Sequence, residues 1–475
     1  MLKNLNLQKL LFLIASIFLL VLCAIQNIAN FVSINGFYAQ KGQSFNDYNT
    51  LNGVSIERFA IIGAYIILNI IYVIWLLTKQ QEYSKFVSIL KYAAIFLVFS
   101  FITYPYSTDI YLYLHYGLMA LNGVNPYINA ANSFNSELTP FLAWSQTSTY
   151  GPISLLFFRL SALVIPLSPV LGVYFFKLFC LLFHIFNTYL IWRLLNANKY
   201  RSKVTAAYLI NPLLLNEQVV SAHVDVFVTT TLIILIGCLY YKRFAAAILA
   251  IFAGFLAKTL PIIWLPLVVN FLVRRHRWKD LAIAFAGLLA IAIILSQTVF
   301  PTLNAWRSLF NPAVSEMTAR SLHHLLSLCL YFFSNLTSEA QQSVLSVYKS
   351  LTYLGFVICY FWFLLKPYLK RDYSQIDLVS DLGWVTLILF LFATPWLMSW
   401  YPSILLPFAA LGLESPVLAL TSLTFSLCAG LIVGTGGRQS LISIVTTLVT
   451  LLPPIAILVF RAKLLRKLSQ MISQA

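Results

Sequence analysis

Tyr104-Pro105-Tyr106-Ser107-Thr108-Asp109-Ile110-Tyr111-Leu112-Tyr113 opens the stretch around which the chain is organised. An apolar segment, Ala93 to Thr103, stops at this proline, and a solitary carboxylate then precedes an aromatic run long enough for one short helix. Between Tyr92 and Phe158 there is no lysine or arginine, in a protein with 31 of them. That gap places the run, and Asp109 with it, on the side of a membrane that basic loops avoid.

Working outward, 60% of the 475 residues are hydrophobic and 9% charged, and many apolar runs approach 20 residues. This composition describes an all-α polytopic membrane protein, because each span needs about 20 apolar residues. We expect about 13 or 14 helices, with long outer loops carrying short interfacial helices. The formal charge of +17 raises the question of a nucleic-acid partner. The positions of the basic residues exclude it: Lys3 and Lys9; Lys79, Lys85 and Lys91; Arg193, Lys199, Arg201 and Lys203; Lys242 and Arg243; Arg274, Arg275, Arg277 and Lys279; Lys366, Lys370 and Arg371; and Arg461, Lys463, Arg466 and Lys467 punctuate the apolar runs. This positive-inside pattern puts both termini in the cytoplasm and Asp109 outside. The six cysteines lie in apolar surroundings without CxxC spacing, so they read as small apolar fillers. The segment Pro152 to Ile165, stopping at Pro166, is expected to be short, with Val170 to Leu195 as the true crossing.

Three further stretches carry polar chemistry at span ends. If Asp109 begins a helix, Tyr113, Tyr116 and Ala120 share its face, Asn122-Gly123 ends it and Asn125-Pro126 turns the chain. A favourable acidic residue at a helix start is the plain reading of Asp109; a reactive carboxylate is the other. Asn211 to Asp225 gathers Glu217, His223 and Asp225 in a chain with only 14 carboxylates. Ionisable groups at membrane depth are costly and mark functional sites by default, although capping in a wet loop also accounts for them. HxD spacing suits a metal, but no further ligand set presents itself. Lys258, between Ala257 and Thr259, either holds a phosphate or snorkels to headgroups. Trp396, Trp400 and Tyr401 stack on a sugar or form an interfacial belt. Arg307, Arg320, His323 and His324 read as a solvated face.

In this order, TDIYLYLHYGLMALNGVNPY (108–127), Tyr150-Gly151-Pro152, NPLLLNEQVVSAHVD (211–225), GFLAKTLPIIWLP (254–266) and PWLMSWYPSILLP (395–407) resemble the GT-C superfamily of integral-membrane glycosyltransferases, especially bacterial polyprenyl-phosphate-mannose-dependent mannosyltransferases. The resemblance implies one membrane domain over 1–475, with N-terminal spans in 1–92, a catalytic module in 93–300 that includes outer loop 105–150, and a second outer loop and C-terminal spans in 301–475. It implies a bacterial plasma membrane protein whose active site faces outward. Its reaction would be inverting transfer of a sugar, mannose by analogy, from a polyprenyl-phosphate donor to a hydroxyl of a glycan or lipid acceptor. Asp109 would be the general base; Lys258, His223, Arg159 and Tyr113 would bind donor phosphate or sugar; Glu217, Asp225, Trp396, Trp400 and Tyr401 would support the acceptor. No cofactor is expected. The superfamily often has a second acidic residue beside its catalytic aspartate, whereas Ser107 and Thr108 precede Asp109 here, which leaves a divalent metal without support.

The rivals are a secondary transporter or lipid flippase using the same carboxylates as a coupling-ion path, and a membrane scaffold. The topology is checked by labelling single cysteines from outside intact cells: Thr108→Cys is expected to react and Ser202→Cys to be protected. The opposite pattern would overturn it.

Overall fold

The computed structural model describes residues 2–39, 55–78, 82–105, 107–310, 317–412, 415–430, 441–463 and 465–466. Residues 40–54 lie outside them, as do Tyr106, Lys79 and Lys467. The described residues form helices joined by turns: α1 (Leu2–Ala39), α2 (Ser55–Leu77), α3 (Phe86–Ile102), α4 (Asp109–Leu121), α5 (Pro152–Ala162), α6 (Pro169–Leu194), α7 (Arg201–Leu209), α8 (Asp225–Tyr240), α9 (Phe244–Phe255), α10 (Leu265–Arg274), α11 (Trp278–Thr298), α12 (Leu322–Phe333), α13 (Ser338–Leu369), α14 (Gln375–Ile388), α15 (Leu406–Leu411), α16 (Pro416–Gly430) and α17 (Leu441–Val459). Among them six are long and apolar enough to cross a membrane, and nine shorter apolar helices accompany them. The protein is therefore an all-α, multi-pass membrane protein.

The chain divides into two compact units, Met1–Gly237 with Ala245–Ile263 and Lys279–Ala313, and Cys238–Phe244 with Trp264–Trp278 and Val314–Ala475. The sequence reading drew no such division.

In the first unit, polar side chains close the backbone groups that helix ends leave open. Asn27 of α1 accepts from the Tyr104 amide at 2.6 Å and donates to the Ile102 carbonyl at 3.1 Å, fixing the point where α3 stops. The side chain of Lys177, fully buried in α6, donates to the carbonyls of Ser100 (3.2 Å), Thr103 and Val220 (2.9 Å). α4 ends in a Schellman turn: Gly123 has φ 75°, and the amides of Gly123 and Val124 reach the carbonyls of Ala120 and Met119. α5 has 11 residues, far short of a crossing. It packs on α4 where Gly117 admits the Phe158 carbonyl; a Cβ there would stand 2.3 Å from that oxygen.

The apolar run from Val204 to Leu215 does not form one continuous helix. α7 stops at Leu209, Asn211 caps a short turn by accepting from the Leu214 amide at 3.2 Å, and Leu215–Val220 winds as a π-helix. Proline at 212 removes a donor, so helix α7 cannot run on through it. The wider turn carries Glu217 and Gln218 inward, both buried.

In the second unit, Asp381 is fully buried and satisfied by Lys366 at 2.5 Å and the Tyr373 hydroxyl at 2.8 Å. A capping box of Ser374 and Asp377 starts α14. The solvated face expected for His323 and His324 is corrected: they are 2% and 5% exposed. Ser321 caps α12 and turns both rings inward, His323 Nε2 lying 2.8 Å from Thr352 Oγ1 and His324 Nδ1 3.3 Å from Thr318 Oγ1. Arg307, in the first unit, is exposed as expected. Cys23, Cys180 and Cys428 are buried, whereas Cys329 is exposed and so is not a core filler.

The close approach at Gly117 gives a stability test. Gly117→Ala adds a methyl against a backbone oxygen and is expected to cost about 1–3 kcal/mol, lowering the thermal unfolding midpoint in detergent. Gly355→Ala, with nothing within 4 Å of the added carbon, should be neutral or gain up to about 1 kcal/mol. Equal midpoints for the two variants would show that the α4–α5 contact relaxes freely.

Candidate active site

Asp109 is the first residue of α4, as expected, and its amide bonds Ser107 Oγ at 3.3 Å. Its side chain is 17% exposed. Desolvation raises its pKa above the usual carboxylate value, opposed by His223, by Lys258 and by a hydrogen bond from Trp144. Trp144 was missed in the sequence, where it stands in a polar loop without helical spacing.

His223 is buried (1% exposed), its Nε2 3.3 Å from Glu217 Oε2 and its Nδ1 4.0 Å from Asp109 Oδ2. Glu217 is itself held by Asn216, which donates to Oε1 at 3.2 Å. A carboxylate facing Nε2 fixes the proton there and leaves Nδ1 as the acceptor. The Tyr113 hydroxyl, 3.4 Å from Nδ1, donates to it. Local backbone explains how Glu217 and His223 meet: the His223 amide bonds the Glu217 carbonyl at 2.9 Å, and Ala222 between them has φ 55°. A non-glycine residue in that region is a strained element held by its surroundings.

Asp225 opens α8, fully buried, and receives Lys258 Nζ at 3.0 and 2.9 Å. Lys258 is 20% exposed. The wet capping loop considered for Glu217, His223 and Asp225 is thus corrected: Glu217 on the π-turn, His223 after it and Asp225 at the start of α8 are all buried, each with a polar partner. Lys258 is positioned by a backbone pairing with Tyr150. There the Gly151 amide bonds the Ala257 carbonyl at 3.1 Å and the Ile153 amide the Leu256 carbonyl at 2.9 Å. A Cβ at residue 151 would lie 2.1 Å from the Leu256 oxygen, so only glycine fits. Tyr113 stacks on Phe158 (5.0 Å, 4°) and meets Tyr150 edge-on (4.9 Å, 78°).

Asp109, Tyr113, Glu217 and His223 therefore form one chain of contacts, and the Asp225–Lys258 pair acts on Asp109 electrostatically. Arg159 does not join it; it is exposed in the last turn of α5, whose first turn adjoins this cluster. Trp396, Trp400 and Tyr401 belong to the second unit. There Trp396 pairs with Ala319, Trp400 stands edge-on to Tyr401 (6.1 Å), and Tyr401 lies against Phe390 (5.5 Å). Among the described residues no group of three or more His, Cys, Asp and Glu side chains converges as metal ligands.

A multi-helix membrane fold with a largely buried but still accessible carboxylate facing a histidine has the makings of a membrane-embedded group-transfer enzyme. The family model for alpha-(1->6)-mannopyranosyltransferase, N-terminal domain, matches residues 14–274, more than half of the chain. The chain belongs to that family and is a glycosyltransferase of the mannosyltransferase type, with a sugar donor and a glycan acceptor. The transporter and scaffold readings are set aside accordingly. No curated protein and no solved structure matches the chain.

Because burial raises the folded-state pKa of Asp109, folding takes up a proton there. Stability linked to this group is present below the ordinary carboxylate pKa and is lost as pH rises through the shifted value. Asp109→Asn removes that loss. Its unfolding midpoint at neutral pH should equal or exceed that of the wild type, the difference closing in acid. A variant markedly less stable than wild type at neutral pH would contradict this.

Proposed function

We propose that this mannosyltransferase moves mannose from a polyprenyl-phosphate donor to a hydroxyl of a glycan or lipid acceptor, with inversion, at the outer face of a bacterial plasma membrane. The observation that carries the reading is the gradation of exposure among the carboxylates: Asp109 keeps 17% of its surface, while Glu217 (3%) and Asp225 (1%) are sealed and engaged. A sugar hydroxyl is a poor nucleophile until a base takes its proton, and a carboxylate whose pKa burial raises suits that task.

In the reaction the acceptor oxygen attacks the anomeric carbon as its proton passes to Asp109. The bond from that carbon to the phosphate oxygen breaks, and the lipid phosphate departs with the electron pair. One displacement inverts the centre, so an α-linked product, as the family's description names, follows from a β-configured donor. His223 Nδ1, left unprotonated by Glu217, is the next acceptor beyond Asp109, and Tyr113 holds the ring. Lys258, oriented by Asp225, offers N–H donors to the departing phosphate, which needs charge stabilisation more than a strong acid. Trp144 steadies Asp109 through its hydrogen bond. Trp396, Trp400 and Tyr401 remain candidates for acceptor stacking, and Arg159 is the weakest of the proposed phosphate ligands because it is exposed away from the cluster. Membrane lipids, not nucleic acid, are the surroundings that this scheme requires.

Purified protein given polyprenyl-phosphate mannose and a mannan or glycolipid acceptor should form an α-linked product. Asp109→Asn should reduce the rate by about 10²–10⁴ without loss of folding. Equal rates would remove Asp109 from catalysis, and product from a nucleotide-linked mannose alone would overturn the donor assignment.

A further inference from the structure

The turn 370–374 joins α13 to Gln375–Ala393, two segments each long and apolar enough to cross a membrane, so the turn lies at a membrane edge. α10 ends against it. Arg274 donates through Nη2 to the carbonyls of Lys370 (2.9 Å) and Arg371 (3.1 Å), and Arg275 donates through Nη2 to that of Tyr373 (2.6 Å). These bonds fasten the helix end to the turn, and Arg274, Arg275, Arg371 and Asp372 line an open cavity of about 420 Å³ there.

Three guanidinium groups and one carboxylate give this lining a net charge of +2. Each guanidinium carries five N–H donors in a planar fork, and the carbonyl bonds of Arg274 and Arg275 engage Nη2 alone. The nearby ammonium of Lys370 is committed to Asp377 at 2.7 Å. The lining residues are flanked in the chain by large apolar surfaces: Tyr368 is 54%, Leu369 66% and Trp278 57% exposed. Aromatic and apolar residues beside cations at a membrane edge are the setting in which lipid headgroups are held.

We propose that this cavity binds the phosphate of an anionic phospholipid headgroup. Arg371 and the remaining donors of Arg274 and Arg275 meet the phosphate oxygens, and the acyl chains run along Tyr368, Leu369 and Trp278. A soluble phosphate offers the same oxygens; the apolar fringe favours the lipid. The proposal is independent of the transfer reaction, since none of its residues is assigned a part in that reaction.

The test uses the full chain, delipidated in neutral detergent, with Arg371→Gln and Arg371→Glu chosen because Arg371 contributes only its backbone carbonyl to the helix-to-turn bonds. Phosphatidylglycerol is expected to raise the unfolding midpoint of the wild type, and phosphatidylcholine not to. Arg371→Gln should weaken phosphatidylglycerol binding about fivefold, corresponding to about 1 kcal/mol per basic residue, and Arg371→Glu should weaken it further. Equal responses to the two lipids, or unchanged binding in both variants, would overturn the site. If millimolar inorganic phosphate abolishes the phosphatidylglycerol response, the cavity takes free phosphate and the lipid assignment is overturned.

Discussion

The side-chain nitrogen of Lys177 holds the first unit together at the point where its chemistry begins. A cation in the interior of a membrane protein is costly unless polar groups surround it. Here its partners are the carbonyls of Ser100, Thr103 and Val220. Ser100 and Thr103 belong to the C-terminal end of α3, where unpaired carbonyls and the helix dipole favour positive charge. Val220 closes the π-turn, so the same nitrogen serves two chain ends. From Thr103 the chain leaves α3 toward Asp109, and from Val220 it runs to His223. One side chain thereby sets the origin from which both members of the Asp109–His223 pair are measured.

Two glycines carry that constraint onward through backbone contact instead of side-chain packing. At Gly117 the Phe158 carbonyl enters the space of a missing Cβ, which brings α5 against α4. At Gly151 the Leu256 carbonyl does the same, and the pairing of Tyr150 with Lys258 follows. Backbone against backbone leaves little room for adjustment, because neither partner has rotamers to exchange. Asp109 and Lys258, 149 positions apart in sequence, thus reach the same group through two rigid joints.

Much of this was legible in the sequence because the membrane enforces simple rules. Apolar runs and basic punctuation gave the class of fold, and Asn122-Gly123 gave the end of α4, since φ 75° is a glycine conformation. Asp109 stood out because carboxylates are rare here. What the sequence hid was produced by chain geometry without periodic pattern. Nothing in LNEQVV announces a π-turn, so Glu217 and His223 read as loop residues. Trp144 looked like one aromatic among many, and Lys177 lacked a visible partner because backbone carbonyls leave no residue type to recognise. His323 and His324 were misread for a similar reason: Ser321 before them is a helix cap, and a capped helix buries one face.

The electrostatics of the cluster also revise the weight placed on Lys258. Read from the sequence, it is a cation beside an apolar helix that either holds a phosphate or snorkels to headgroups. In the fold its ammonium lies 2.9 Å from Asp225, and the pair is formally neutral. A neutral pair attracts a distant anion much less than a point charge, because its two contributions nearly cancel beyond a few ångströms. Lys258 therefore acts at contact, as a directed donor, and not as a long-range attractor. On the proposed mechanism Lys258 therefore meets the donor's phosphate only once it is in place, and attraction of that charge from a distance falls to other cations.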